Sequence, residues 1–221
     1  MGEPASLAAG ASGQRSRLVR LATHPLGWSL VVGAALVVGL PRLHRALVRQ
    51  PLPVFLNVPA FSLTDQAGQP FGLANLKGHP TIVDFIFTSC PTICPLLSAK
   101  MERLQARTRD LPDVKLLSIS VDPADDTPAV LTKYGARFHE DPKRWTFVTG
   151  DPAMIEQTVV GGFKIELERK GGDPSAAGSI IHGGNLVLVD GQGRIRGYYE
   201  SDPDGLRRIV EDAGRLSKGE S

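Results

Sequence analysis

The amino-acid sequence predicts an α/β fold: a mixed sheet flanked by helices, preceded by one apolar N-terminal segment. Three observations lead to this prediction. Apolar, β-rich runs alternate with helix-compatible segments along most of the chain. Two strand-like runs around Asp190-Gly-Gln-Gly193 predict a hairpin near the C-terminus, followed by a closing amphipathic helix. A charge-free stretch covers residues 25–40.

Composition sets the size and the class of the protein. The chain has 221 residues, of which 42% are hydrophobic and 22% are charged, which fits one globular domain plus an appendage. The formal net charge is only +2, and no basic block occurs beyond the N-terminal region. The aromatic residues are scattered, so the sequence indicates no nucleic-acid partner.

The N-terminal region predicts a membrane attachment. Residues 1–24 form a polar, basic tail, residues 25–41 a transmembrane anchor and residues 42–53 a stalk. The anchor is short, since a spanning helix needs about 20 apolar residues. A cleaved signal peptide is the alternative, but Pro41-Arg-Leu-His-Arg45 stands where a small-residue cleavage site is expected, which favours an uncleaved anchor. Three arginines lie on each side of the apolar run, so charge alone does not set its orientation.

The remaining residues, 54–218, are predicted to form one soluble domain. Its helices and strands are expected in the following order: a hairpin over 61–71, a helical turn over 73–77, a strand over 81–87, a helix from about 95 to 109, a strand over 114–121, a helix over 128–139, a strand over 145–148, a short helix over 152–160, a Gly-rich loop over 170–179, a hairpin of 185–189 with 194–199, and a helix over 204–216. Thr127 is the expected N-cap of the helix that Pro128 begins. Leu97, Met101 and Leu104 share one helix face, where Met101 is predicted to be a core residue rather than a metal ligand.

Both cysteines of the chain lie between a predicted strand and a predicted helix, in residues 85–95, which we call the cysteine corner. The first turn of a helix offers free backbone N–H groups that favour a thiolate, so the pair is expected to be unusually acidic. Cys90 and Cys94 are separated by three residues, and one helical turn would bring both sulfurs to the same side. There they could share a metal ion or close a disulfide. A pair of inert buried cysteines, or a purely structural disulfide, is the alternative interpretation.

One of the five histidines is a candidate third ligand. His182 lies just before an apolar strand, with no charged neighbour to explain it as a surface residue, and its loop is predicted to pass close to the cysteine corner. An ordinary structural histidine is the alternative. The other four, His24, His44, His79 and His139, flank the anchor or lie at the ends of predicted elements and have no assigned role.

These motifs together resemble those of a known family. Phe87-Thr-Ser-Cys-Pro-Thr-Ile-Cys-Pro95, then Ser118-Ile-Ser-Val-Asp-Pro-Ala-Asp-Asp-Thr-Pro128, and finally an isolated histidine before a strand that ends in Asp190-Gly-Gln-Gly193 are similar to the Sco/SenC family of copper-binding cytochrome c oxidase assembly proteins. The resemblance covers about residues 54–216. It implies a thioredoxin-like fold with an N-terminal membrane anchor.

The resemblance also implies a ligand set. Cys90, Cys94 and His182 match the copper ligands, and Asp122 matches an aspartate near the metal, although Asp122 also reads as an ordinary turn residue. Ile181 and Gly183 depart from the family, whose members commonly have Asp and then Ser or Thr on either side of the histidine.

Two thiolates and one imidazole suit Cu(I) and, with adjustment, Cu(II), whereas zinc would usually take a fourth ligand. The resemblance implies a copper metallochaperone that delivers its ion to the binuclear copper centre in subunit II of cytochrome c oxidase, or to a similar acceptor. It also implies a single-pass protein of the cell inner membrane, with its soluble domain facing the periplasm or an equivalent compartment. A disulfide of the two cysteines could persist only outside the reducing cytosol, which agrees with that location.

The alternative function is a thiol–disulfide oxidoreductase that reduces the cysteines of that binuclear centre. In this reaction Cys90 attacks a partner disulfide and Cys94 resolves it. Enzymes of the thioredoxin type usually have two residues between their cysteines and a proline where His182 is expected here, so the sequence argues against this as the only role. A thiol peroxidase is the weakest interpretation, because that activity does not require the histidine.

Overall fold

The structure is a computed structural model that describes residues 28–29, 32–40, 50–169, 179–181 and 184–220. The chain divides into two units, Met1–Gln50 and Pro51–Ser221. In the first unit, residues 28–29 and 32–40 are helical. Within the described ranges, none of the helices combines the length and the apolar character that crossing a membrane requires. The rest of the predicted anchor lies outside the described residues, and the anchor stays a prediction.

The second unit is built on a mixed sheet, as the sequence predicts, and this sheet has eight strands. Its strands are β1 (Leu56–Asn57), β2 (Ser62–Asp65), β3 (Pro70–Gly72), β4 (Thr81–Ile86), β5 (Lys115–Ser120), β6 (Trp145–Thr149), β9 (Asn185–Val189) and β10 (Arg194–Glu200), in the spatial order β1-β10-β9-β4-β5-β6-β2-β3. The central strands β4, β5 and β6 are parallel, and the other pairings are antiparallel. A separate antiparallel pair is formed by β7 (Leu167–Arg169) and β8 (Ser179–Ile181).

The helices of this unit follow the predicted order. They are α1 (Leu73–Leu76), α2 (Ile93–Arg107), α3 (Pro128–Ala136), α4 (Pro152–Glu156), which continues as a π-helix (Gln157–Gly162), and α5 (Pro203–Ser217). The Thr127 hydroxyl caps α3 by accepting the N–H of Val130, and Pro128 occupies the first turn, as predicted. Helix α2 begins at Ile93, two residues before the predicted start, and therefore includes Cys94.

Two hydrophobic clusters cover the two faces of the sheet. Alternate residues of β4 point to opposite faces, so that Ile82 and Ile86 belong to the first cluster while Val83 and Phe85 belong to the second. Helices α2, α3 and α5 contribute to the first cluster, with Leu97, Met101, Leu104, Leu131, Leu206 and Ile209 among their buried side chains. The α4 helix and its π-helical continuation contribute Ile155 and Val159 to the second. Both cysteines lie in the first cluster.

A buried arginine fixes the beginning of the second unit. Arg196 is 2% exposed, and its guanidinium donates to the carbonyl oxygens of Leu52 (2.5 Å) and Pro53 (2.9 Å). It also pairs with Asp190 at 2.8 Å, so the buried positive charge is balanced. We call this arrangement the N-terminal clamp. It joins the chain at residues 52–53 to the β9–β10 hairpin.

Candidate metal and thiol site

The cysteine corner lies where β4 ends and α2 begins. Cys90 is in the connection between them, and Cys94 is the second residue of α2, so the predicted strand-to-helix position is confirmed. Both are free thiols with little exposure, 6% for Cys90 and 1% for Cys94. A backbone hydrogen bond from the Cys90 N–H to the carbonyl of Phe87 closes the turn that carries Cys90.

The sulfur of Cys90 lies over the first turn of α2. Its Sγ accepts the backbone N–H of Cys94 at 3.4 Å, and the Cys94 thiol donates to it as well. Burial opposes ionisation of Cys90, but hydrogen bonds from these groups and from the N–H groups of Thr92 and Ile93 outweigh that effect and lower the pKa of the thiol. The two sulfur atoms are therefore direct neighbours. Of the two, Cys90 is the one whose thiolate form is stabilised.

Cys94 has the opposite character. Its burial, together with its hydrogen bond to Cys90 and the nearby charges of Cys90 and Asp84, raises the pKa of the Cys94 thiol to about 12. The expectation that both cysteines are unusually acidic is thus wrong for Cys94. The helix N-terminus directs its free N–H groups at Cys90, while the Cys94 side chain points into the core, where a charge is poorly solvated.

Asp122 lies at the same edge of the sheet as the cysteine corner. The carboxyl ends of the parallel strands β4 and β5 meet there, and the Val121 N–H donates to the Ile86 carbonyl at 2.9 Å. The carboxylate is buried, and its Oδ2 has no hydrogen-bond partner among the described residues. Burial, followed by the charges of Asp125 and Asp126, raises the pKa of Asp122. Asp122 is therefore more than an exposed turn residue, and its proximity to a metal stays a prediction.

His182 lies outside the described residues, so its predicted role as a ligand stays a prediction too. The described residues resume at Gly184. Gly184 and Asn185 line a cavity of about 300 Å³ together with both cysteines. A Cβ atom built on Gly184 would lie 3.7 Å from Cδ1 of Ile93 in the first turn of α2, so the chain just after His182 packs against the cysteine corner.

Within the described part of the chain, no three His, Cys, Asp or Glu side chains are grouped closely enough to hold a metal ion. Two adjacent sulfur donors fit a soft ion such as Cu(I), which accepts low coordination numbers. The described donors at the site are Cys90 and Cys94, and they require at least one further ligand to complete the predicted set.

Two carboxylates at the site were not predicted from the sequence. Asp84 is fully buried in β4, and its Oδ1 accepts the Ser118 hydroxyl at 2.5 Å. Burial raises the pKa of Asp84 to about 7. A single acid inside an otherwise apolar strand is a signal that could have identified it.

Asp126, at 0% exposure, is the second unpredicted carboxylate, and it contacts the loop that carries Cys90. It stands in an acidic, Pro-containing turn, Asp122-Pro-Ala-Asp-Asp-Thr-Pro128, whose composition is equally typical of an exposed loop. The sequence therefore offers no sign that it is buried.

Comparison with known proteins is consistent with this geometry. A model of the SCO1/SenC family matches residues 53–216. The SCO1 protein homolog of Bacillus subtilis is 34% identical over 170 residues, which cover 74% of this chain and 86% of that protein. The solved structure of BsSco, described as a member of the Sco family of cytochrome c oxidase assembly proteins with a disulfide switch, is 31% identical, with a TM-score of 0.66 over 78% of this chain and 98% of that one. Copper-bound ScoI of Bradyrhizobium japonicum is 30% identical, with a TM-score of 0.59 over 72% of this chain and 99% of that one.

Proposed function

The chain belongs to the SCO1/SenC family, and from that premise we propose that it is a copper metallochaperone whose cargo is one copper ion held by Cys90, Cys94 and His182. The observation that carries the proposal is the pair of adjacent sulfur atoms at the start of α2, one of which is stabilised as a thiolate. Copper-bound ScoI, which shares the fold, adds support.

The two cysteines have different tasks in this proposal. Cys90 offers a thiolate to an incoming ion, whereas Cys94 must release its proton when its sulfur binds the metal. Copper binding therefore releases protons and weakens as the pH falls. A site with three ligands leaves one side of the ion open, so that a cysteine of the acceptor can bind before the first ligands leave.

The proposed acceptor is the binuclear copper centre in subunit II of cytochrome c oxidase, or a similar site. BsSco is described as belonging to a family of cytochrome c oxidase assembly proteins, which supports this class of partner. Transfer is tested by mixing the copper-loaded protein with the apo soluble domain of subunit II and following the visible absorption of the binuclear centre. Transfer no faster than that from free copper–glutathione would argue against direct delivery.

We further propose that residues 25–41 anchor the protein in the inner membrane, with the second unit in the periplasm. The proposal rests on the charge-free segment and the family resemblance. An alkaline phosphatase fused after Ser221 should be active in cells, since that enzyme needs an oxidising compartment to form its disulfides. An inactive fusion that is expressed normally would place the domain on the cytosolic side.

Metal binding is tested first by anaerobic Cu(I) titration of the full chain against a competing chelator. One tightly bound copper per chain is expected for wild type, none in Cys90→Ser or Cys94→Ser, and weakened binding in His182→Ala. His139→Ala is the matched control, because His139 is exposed and pairs with Glu102 at 2.8 Å. One tightly bound copper per chain in Cys94→Ser, as in wild type, would contradict the proposed ligand set.

A thiol–disulfide oxidoreductase is the second candidate, and the unequal thiols favour it. The Cys90 thiolate would attack a partner disulfide and release one partner thiolate, and Cys94 would then displace the other as the Cys90–Cys94 disulfide forms. Each turnover oxidises this protein by two electrons and reduces the partner by two. Facile exchange with oxidised glutathione, together with weak copper binding that does not depend on His182, would make this the main activity.

A further inference from the structure

A buried carboxylate joins the two loops at the carboxyl ends of β4 and β5. Asp126 lies in the loop between β5 and α3 and has 0% exposure. Its oxygens accept the Thr88 N–H at 3.1 and 3.3 Å, the Thr88 hydroxyl, and the Ser120 hydroxyl at 2.5 Å. Thr88 is two residues before Cys90, inside the turn that the Cys90 N–H closes on Phe87. The carboxylate is thus bonded directly to the loop that carries the first thiol.

The same carboxylate orders the loop that carries Asp122. The Asp126 N–H donates to the Asp122 carbonyl at 2.9 Å, and the Asp122 N–H donates to the Ser120 hydroxyl at 3.1 Å, the group that also donates to Asp126. Asp126 therefore makes hydrogen bonds to both loops at this edge of the sheet.

The burial of the Asp126 carboxylate is not compensated by an ion pair with a described residue. In the described part of the chain no Lys or Arg pairs with it, and the groups that donate to its oxygens are hydroxyl and amide groups. Burying a carboxylate without a counter-ion is costly, so hydrogen bonds to a charged acceptor must offset its desolvation. These hydrogen bonds hold Thr88 and Ser120 in fixed positions relative to each other.

We propose that Asp126 is a positioning residue for the thiol site, acting through Thr88 to hold the Cys90 loop against the start of α2. The inference rests on the proposed function for its consequence in copper binding. In the present loop conformation the Cys90 sulfur accepts the Cys94 N–H at 3.4 Å. Loss of the carboxylate releases Thr88, and the two sulfurs then lose their fixed relative position. Outer residues that orient metal ligands typically change affinity by about 10- to 100-fold when removed.

The test compares Asp126→Asn and Thr88→Val with a matched control in the full chain. Asp151→Asn is that control, because Asp151 also accepts two loop N–H groups, those of Ala153 and Met154, but it caps α4 and has no bond to the cysteine corner. Three quantities are measured: Cu(I) affinity by chelator competition, the electron paramagnetic resonance spectrum of the Cu(II) complex, and the equilibrium constant of Cys90–Cys94 disulfide formation with glutathione.

Asp126→Asn is expected to weaken Cu(I) binding by about tenfold or more, to alter the Cu(II) spectrum and to change the disulfide equilibrium constant. Thr88→Val should cause smaller changes of the same kind. The double variant should show less than the sum of the two single effects, because both remove the same link. Asp151→Asn, which keeps a capping oxygen, should leave all three quantities at their wild-type values.

The outcomes separate this inference from the proposed function. If wild type binds no copper, the metallochaperone proposal fails, and the disulfide equilibrium still decides the role of Asp126. Wild-type disulfide equilibrium in folded Asp126→Asn would overturn the positioning role. If Asp126→Asn does not fold, Thr88→Val replaces it, since this change removes one hydroxyl and keeps the backbone donor. A wild-type disulfide equilibrium in Thr88→Val would then overturn the positioning role.

Discussion

At the residue scale, the two thiols should differ sharply in reactivity. The lowered pKa of Cys90 and the raised pKa of Cys94, about 12, predict that one equivalent of iodoacetamide at neutral pH modifies Cys90 almost alone. Peptide mass spectrometry of the reduced, metal-free protein locates the label. Equal labelling of both positions would contradict the assigned hydrogen-bond direction between the sulfurs. Cys90→Ser provides the control, since its remaining thiol should react slowly.

Asp84 should make stability fall as the pH rises. Its pKa is about 7 in the fold, above the ordinary value of 3.8, because burial disfavours the charged form. The contribution of the protonated Asp84 to the free energy of unfolding is therefore fully present below about pH 4. It is lost as the pH rises through 7. Each pKa unit corresponds to roughly 1.4 kcal/mol, so the loss amounts to a few kcal/mol.

The Asp84→Asn variant should remove this pH dependence. Asparagine stays neutral and can still accept the Ser118 hydroxyl, so urea unfolding at pH 8 should give a more stable protein than wild type. The two proteins should differ little at pH 4.5. Asp110→Asn serves as the control, because Asp110 is exposed. If the free energy of unfolding of Asp84→Asn depended on pH as in wild type, another group would be responsible for that dependence.

The cysteine site was only partly predictable from the sequence. The spacing of Cys90 and Cys94 is local, so one helical turn was enough to bring their sulfurs together. The difference in their pKa values depends on which sulfur faces the core, and the sequence does not contain that information. Asp126 reaches Thr88 across 38 positions in the chain, a contact that only the tertiary structure creates.

At the scale of elements, helix α2 offers a direct test of core packing. Met101 is fully buried on its inner face, whereas Leu96 is 64% exposed on the same helix. Met101→Ala should lower the free energy of unfolding by about 2–5 kcal/mol through lost contacts and an internal cavity. Leu96→Ala should change it by less than about 0.5 kcal/mol. Urea unfolding of both variants measures the difference, and equal losses would contradict the assigned orientation of α2.

The predicted elements are largely confirmed where their patterns are long or their end signals strong. The Thr127–Pro128 start of α3 and the hairpin of β9 with β10 follow from local chemistry. Strands β1, β7 and β8 were missed, because two or three residues are too short to show alternation. The start of α2 was placed two residues late because proline is tolerated throughout a first helical turn, and the Thr92 side chain makes no capping hydrogen bond that would mark the boundary.

At the scale of the whole molecule, the mixed α/β fold is shared with the solved Sco structures, and the thioredoxin-like sheet implied by the resemblance is confirmed. The N-terminal clamp ties residues 52–53 to this sheet through Arg196. Asp190→Ala should lower the free energy of unfolding by about 3–5 kcal/mol, because the buried guanidinium loses its counter-ion.

The same variant should open the chain near Leu52 to proteolysis before global unfolding, which mass spectrometry of the first fragments can establish. Glu211→Ala is the control, since it removes only an exposed ion pair with Arg207 and should leave the unfolding midpoint unchanged. Cleavage elsewhere, with residues 50–54 protected as in wild type, would contradict the role of the clamp.

The clamp also decides how mechanical load travels through the domain. A pull on the chain before Leu52 is transmitted through the guanidinium of Arg196 to Asp190, at the turn of the β9–β10 hairpin. Strand β9 lies between β10 and β4 in the sheet, so the force meets two hairpin strands before the strand that leads to Cys90. The strand that leads to the sulfur pair is thereby separated by β9 from the strand that holds residues 52–53.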